Sequence, residues 1–424
     1  MDTSVMITLG FLVFAIVMFA WEKIPLSITA MIVAVGLHLS GVLSAKEAFA
    51  GFVDPNVLLF MGMFVIGEAF FATGVAVGVG NVVHKFAKTE TSLLVAVMMI
   101  TGILSGFLSN TGTAAVLIPV IIGICKKSGF KQTKLLMPLV FAAAMGGNIS
   151  LIGAPGNMIA QAGLQQAGLG SFGFFDYGLV GLPILIVGTI FYATIGKRFL
   201  PDAPSHQPDG AFEGNDDYSH VPSWKKWTAA IVLILTVVAM IFEKQLGVKL
   251  YVSAWIGALV LVATNVISES AAVRSIDMKT IMLFAGSMAL GGDAMVKTGT
   301  GSVIADLIVN SLGASPSPIV VLVVIFVLGV FMTNFMSNTA TCALLVPIGL
   351  SLASQLGFDP KAVLAAIVIA SSLAYATPPI GMPANTMVYN IAGYSFMDYV
   401  KAGLPLIVVS SIVALVLLPI LFPF

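Results

Sequence analysis

From its amino terminus the chain alternates long apolar stretches with short polar breaks. Apolar runs near the length of about 20 residues needed to cross a bilayer recur from Met6 to Leu421. Spans are predicted near Met6 to Ala20, Pro25 to Leu43, Val57 to Gly74, Leu135 to Gly163 and Leu179 to Ile195. A polar stretch from Lys197 to Trp224, carrying Pro, Asp, Gly and His, reads as the linker. Beyond it, spans are predicted near Trp227 to Phe242, Tyr251 to Ile267, Thr280 to Met295, Ala362 to Ile391 and Leu404 to Leu421. The spans form two sets of five.

Two further segments, Thr91 to Cys125 and Pro318 to Leu352, do not fit a single span. Each holds about 35 mainly apolar residues, too long for one crossing and too short for two. Each is interrupted near its middle by a polar cluster: Ser109-Asn-Thr-Gly-Thr113 in the first and Ser337-Asn-Thr-Ala-Thr341 in the second. A re-entrant helical hairpin accounts for both lengths. An arm of about 14 residues rises about 21 Å, enough to bring the cluster to mid-membrane.

The two halves are in register. Adding 228 takes Ser109 to Ser337, Asn110 to Asn338, Thr111 to Thr339, Pro119 to Pro347, Gly153 to Gly381, Pro155 to Pro383 and Asn157 to Asn385. Such self-similarity marks an internal repeat. Five crossings per half is odd, so the second copy enters from the opposite face, as in the inverted repeats of many secondary transporters. The expected fold is therefore an all-α polytopic membrane protein made of two inverted-topology repeats. Repeat 1 covers 1–196 (scaffold helices 1–90, hairpin and broken helix 91–196), the cytoplasmic linker 197–226, and repeat 2 227–424 (scaffold 227–312, hairpin and broken helix 313–424).

Composition agrees with a membrane class: 58% of residues are hydrophobic, 9% are charged and the mean hydropathy is +1.06, against about 25% charged in soluble domains. Threading the chain with its amino terminus outside puts 14 of the 19 Lys and Arg residues on the cytoplasmic side, among them Lys23, Lys126, Arg274 and Lys279. The positive-inside rule favours this orientation, with both termini extracytoplasmic, in a multi-pass cytoplasmic-membrane protein. The opening stretch has no Lys/Arg leader region and no small-residue cleavage site, so it reads as a retained helix. Formal net charge is zero and no basic tract suggests nucleic acid. Cys125 and Cys342 lie apart in apolar surroundings and read as core thiols.

Non-helical backbone inside a membrane must be buried in protein or line a wet cavity. Four such breaks are predicted: the two hairpin tips, Gly153-Ala-Pro-Gly-Asn157 and Gly381-Met-Pro-Ala-Asn385. A tip beside a break supplies neutral oxygens for sodium, and the helix N-termini there present N–H groups to an anion. A cation and an anion bound together stabilise one another, which is a physical basis for symport. Isolated Ser, Thr and Asn in membrane helices often make only interhelical hydrogen bonds, but the duplicated motifs in register favour a binding site. Glu68 and Asp293, near the ends of apolar spans, are either interfacial caps or functional carboxylates.

These residues resemble the divalent anion/sodium symporter family of the ion transporter superfamily. The duplicated SNT, the GxPxN-type loops and the opening pattern Glu22-Lys-Ile-Pro-Leu26 with Gly51-Phe-Val-Asp-Pro55 carry the resemblance over nearly the whole chain. It implies a first sodium site at Ser105, Ser109, Asn110 and the Gly153 carbonyl. A second would use Thr333, the Met336 carbonyl, Asn338 and the Gly381 carbonyl. The implied anion site comprises Asn110, Thr111, Ala154, Pro155, Asn338, Thr339, Met382 and Pro383. Carriers of dicarboxylates or citrate in the family usually have Thr after the loop Gly, where this chain has Ala154 and Met382. The expected function is sodium-coupled, elevator-type symport of a small divalent anion, with a C4-dicarboxylate or related acid first. Alternatives are an inorganic divalent anion such as sulfate, or sodium/proton antiport. The resemblance also implies a homodimer. No enzyme motif (HExxH, GxSxG, Cys/His pair) lies on the apolar segments.

Overall fold

In the computed structural model the described residues are 2–21, 23–75, 78, 88–205, 218–312, 316–376 and 382–424. All the regular secondary structure among them is helical. The first half begins with α1 (Thr3–Trp21), α2 (Leu26–Leu39) and α3 (Pro55–Ala72). Asp54 caps α3 by accepting from the Asn56 N–H, and Pro55 occupies the first helical position, where its missing N–H costs nothing. The predicted hairpin follows as α4 (Glu90–Ser105) and α5 (Asn110–Ser128). The predicted broken span is α6 (Leu136–Gly146) and α7 (Pro155–Gln166), after which α8 (Gly178–Ala193) returns.

The second half repeats this order. It comprises α9 (Ser223–Ile241), α10 (Leu250–Ala263), α11 (Met278–Met288) and α12 (Thr300–Leu312). The second hairpin is α13 (Pro318–Thr333) with α14 (Asn338–Leu356), the second broken span α15 (Lys361–Ser371) with α16 (Pro383–Ala392), and α17 (Phe396–Leu421) ends the chain. Two features were not read from the sequence. Helix α12 was not among the expected spans, and α11 runs into a π-helical segment, Ala289–Ala294.

The hairpin returns have matching punctuation. Gly129 and Gly357, 228 apart, end α5 and α14 with φ of +72° and +73°, a left-handed turn that a Cβ would strain. Both arms that leave a tip contain a proline, Pro119 and Pro347.

Burial sorts the helices into layers. Every residue of α6, and every residue of α15 except Lys361, is buried, so these 11-residue helices form the centre of the molecule. At about 16 Å each they end inside it, where the chain breaks. At the edge, α17 exposes Leu404, Val408, Ile412, Val416 and Ile420, a stripe every fourth residue. Its opposite face buries Leu406, Ser410, Ala414 and Leu418. An apolar stripe on a helix of 26 residues, about 39 Å long, fits lipid.

Polar contacts near the helix ends fall into two groups. In one, Lys131 and Lys134 meet Asp202 at 2.9 and 3.1 Å, and the Tyr394 hydroxyl donates to the Thr133 carbonyl at 2.8 Å. In the other, Lys297 meets Glu47 at 2.9 Å and the Asn56 amide donates to Gln165 Oε1 at 3.1 Å. The threading predicted from charge puts the first group on the cytoplasmic side and the second outside.

Candidate functional site

Each SNT sits at the N-terminus of the returning hairpin arm. Ser109 and Ser337 are N-caps in extended conformation, and their hydroxyls accept from the Gly112 and Ala340 N–H groups at 3.0 and 3.2 Å. Asn110 and Asn338 therefore open α5 and α14.

Behind each tip the same three oxygens meet. Ser105 Oγ, at the end of α4, donates toward both Asn110 Oδ1 and the Ala143 carbonyl, each at 2.7 Å. In the second half Thr333 Oγ1 lies 2.8 Å from Asn338 Oδ1 and also donates toward the Ser371 carbonyl. Every member is displaced by 228. A hydroxyl has one proton, yet here it faces two acceptors that converge on it. Two acceptors around one proton make an oxygen-rich spot suited to a hard cation.

The close approach has a local cause. Where α4 crosses α6, Gly102 and Gly146 bring their backbones together with no room for a Cβ, and an ideal Cβ on Gly147 would stand 2.8 Å from Asn110 Oδ1. In the second half Gly329 lets Ala370 approach, its ideal Cβ lying 2.9 Å from the alanine methyl.

The broken-helix loops are stapled by their asparagines. Asn157 Nδ2 donates to the Gly147 and Ser150 carbonyls, each at 2.8 Å, and Asn385 Nδ2 to the Ala374 carbonyl at 2.9 Å. Because those partners are acceptors, the NH₂ end must face them. This leaves both Oδ1 atoms buried and without a partner among the described residues. The main-chain carbonyls of the same two asparagines accept from Tyr177 and Tyr399 at 3.1 and 2.9 Å. The buried, unpaired oxygens add to the cation character of both breaks, since an unmet acceptor costs about 1–3 kcal/mol.

The tips and loops open into a cavity of about 610 Å³. Ser109, Asn110, Thr111, Asn338 and Thr339 line it from the tips. Gly153, Ala154, Pro155, Met382 and Pro383 line it from the loops. Ser105, Thr333 and Met336 stand behind this lining, buried at 0%, 0% and 3% exposure. Gly381 lies outside the described residues. Met382 is 4% exposed, and its side chain belongs to the hydrophobic core.

Sequence reasoning missed several neighbours. Ala143 and Ser371 take part through backbone carbonyls, which carry no residue signature. Ser372 donates to Asn148 Oδ1 at 3.0 Å, a buried bond that ties the two halves together beside the site. Phe60, Met63 and Phe64 of α3 form the facing wall of the cavity. At its exposed edge stand Asp277 and Lys279, and Ser27, Ser275 and Thr280 also line it. Asp277 and Lys279 are the titratable groups among the described lining residues, so no acid or base stands at the tips. Glu68 is half-buried on α3, away from that lining, and the side chain of Asp293 lies outside the described residues.

The family and the relatives that match this chain are transporters, not enzymes. The chain belongs to the citrate transporter family, whose pattern matches residues 16–348 and 320–424. A sodium-dependent dicarboxylate transporter, SdcS of Staphylococcus saprophyticus, is 24% identical over 95% of this chain and 83% of its own. An uncharacterized transporter of Haemophilus influenzae is 28% identical over 96% and 89%. The solved YdaH transporter of Alcanivorax borkumensis has a similar fold, with a TM-score of 0.67, 17% identity, and coverage of 98% of this chain and 99% of its own. The protein is thus an integral membrane transporter of the citrate and dicarboxylate class.

Proposed function

We propose that the protein is a sodium-coupled symporter of a small dicarboxylate, working by elevator-type alternating access. The observation that carries this reading is the three-oxygen contact repeated in register, Ser105–Asn110–Ala143 and Thr333–Asn338–Ser371. Sodium binds where those oxygens converge, the first site completed by Ser109 and the Gly153 carbonyl, the second by the Met336 and Gly381 carbonyls. The named dependence of SdcS on sodium supports the choice of ion.

The anion lies against the tips, held by Asn110, Thr111, Asn338 and Thr339 and by the N–H groups that open α5, α7, α14 and α16. Helix N-termini favour negative charge there. Ala154 and Met382 contribute backbone and bulk, with Pro155 and Pro383 fixing the start of each helix. With Asn110 and Asn338 serving both ligands, sodium orders the tips before the anion arrives. Among the described lining residues the titratable groups are Asp277 and Lys279, away from the tips, which weighs against proton antiport.

The cavity rim carries Ser275, Asp277 and Lys279, on the side that charge bias makes cytoplasmic. This conformation is then open inward, and the Asn56–Gln165 bond closes the outer side between the scaffold helix α3 and the moving helix α7. Hairpins and broken helices form the moving unit, and α1–α3 with α9–α11 form the scaffold. Outward opening breaks that bond.

The test is uptake of labelled succinate by the purified protein in liposomes, with and without an inward sodium gradient. Accumulation driven by sodium supports symport. Uptake indifferent to sodium but driven by a pH gradient would overturn it.

A further inference from the structure

We infer that the carried anion has an apolar body: an unsubstituted aliphatic or aromatic dicarboxylate, in preference to a hydroxylated acid. This deepens the symport reading and rests on it. The cavity is two-faced. One face consists of the tips, whose N–H groups, hydroxyls and amides can hold carboxylates at each end of a molecule. The other is the wall of α3, where Phe60, Met63 and Phe64 follow at helical spacing, and Leu283 of α11 continues it.

That wall is braced. Phe60 and Phe64 stack with centroids 5.9 Å apart and planes at 14°, and Phe284 meets Phe60 edge-on at 5.8 Å. Phe107, beside the first tip, adds a ring from the moving side. Aromatic rings held in this way offer area for an apolar body and no acceptor or donor for a hydroxyl.

Among the described residues the loops add little free polarity: Ala154 and Met382 line the cavity without a hydroxyl. The Ser371 and Ser372 hydroxyls already donate to the Val368 carbonyl and Asn148 Oδ1, and the Asn157 amide to the Gly147 and Ser150 carbonyls. A hydroxyl midway along a substrate would leave water to face rings, where nothing replaces its hydrogen bonds. A methylene or aromatic body loses nothing there. Of the polar groups on the scaffold side, Thr280 and Ser275 already donate their hydroxyl protons, to Asp277 and to the Ala272 carbonyl.

The experiment is competition against sodium-driven uptake of labelled succinate by the reconstituted full chain. Succinate, glutarate and terephthalate are compared with malate, tartrate and citrate, for the wild type and for Phe64→Tyr, which keeps the ring and adds one hydroxyl to the wall. The expected result is that malate competes roughly ten- to a hundred-fold more weakly than succinate, the range open to an apolar pocket, and that Phe64→Tyr narrows this gap. Equal competition by malate and succinate, or a gap that Phe64→Tyr leaves unchanged, would overturn the inference while leaving sodium coupling intact. Should Phe64→Tyr fold poorly, Met63→Gln at the same wall gives the same readout. A wild type with no sodium-driven uptake of any of these acids would contradict the symport reading itself.

Discussion

The two tip regions share their hydrogen-bond geometry but differ in the side chains around it. At three positions in register the first half has alanine where the second is polar: Ala114 against Cys342, Ala143 against Ser371, and Ala144 against Ser372. What recurs in both halves is the hydroxyl, the SNT amide and a carbonyl, whichever side chain position 143 or 371 carries. The extra polar groups of the second half are spent otherwise. Ser371 Oγ bonds the Val368 carbonyl at 2.8 Å and lies 3.0 Å from Cys342 Sγ, and Ser372 reaches Asn148 of the first half. The first site is the plain version, and the second also holds the halves together.

The largest effect falls on what both sites share. Asn110→Ala and Asn338→Ala should each lower sodium affinity by at least roughly 100-fold and abolish sodium-driven uptake, with the protein still monodisperse in detergent. Retained uptake in either variant would break the equivalence of the halves. Ser105→Ala should weaken sodium activation roughly 10- to 100-fold, whereas Thr333→Ser, which keeps the hydroxyl, should change it little. A sodium titration of uptake checks both.

Smaller effects should separate the halves. Ser372→Ala leaves Asn148 Oδ1 without its buried donor and should cost about 1–3 kcal/mol, read as a lower Tm, while Ala144→Ser, its mate in register, gains no such partner. At the periphery, Glu47 accepts from the Ser44 N–H and pairs with Lys297, which holds its carboxyl down at about 2. A carboxyl whose folded value is depressed favours the fold above its unfolded value of 4.5, and that contribution fades as pH falls toward about 2. Glu47→Gln should therefore lower Tm slightly near neutral pH, with the difference from the wild type closing in acid.

Much of this arrangement was legible in the sequence because it is written in residue identity. Gly and Pro mark breaks, Ser-Asn-Thr marks a cap, and a 228-residue register marks a repeat. The carbonyls of Ala143 and Ser371 were not, because every residue has one and only the fold selects which converge. The Asn148–Ser372 bond has no mate in the other half, so register could not find it. Phe60 and Phe64 carry no signal of their own, since hydrophobicity alone does not tell a cavity wall from a packed one. Met382, expected at the anion, lines the cavity while most of its surface packs in the core. Helix α12 escaped because its 13 residues are short for a crossing and are interrupted by Thr300, Ser302, Asp306 and Asn310.

The most direct test counts ions. Equilibrium binding of radiolabelled sodium to the purified wild type, Asn110→Ala and Asn338→Ala measures how many sodium ions each chain holds. Two equivalent cages predict that each variant binds one sodium fewer than the wild type. Unchanged sodium binding in both variants would contradict the assignment of the paired tips as cation sites.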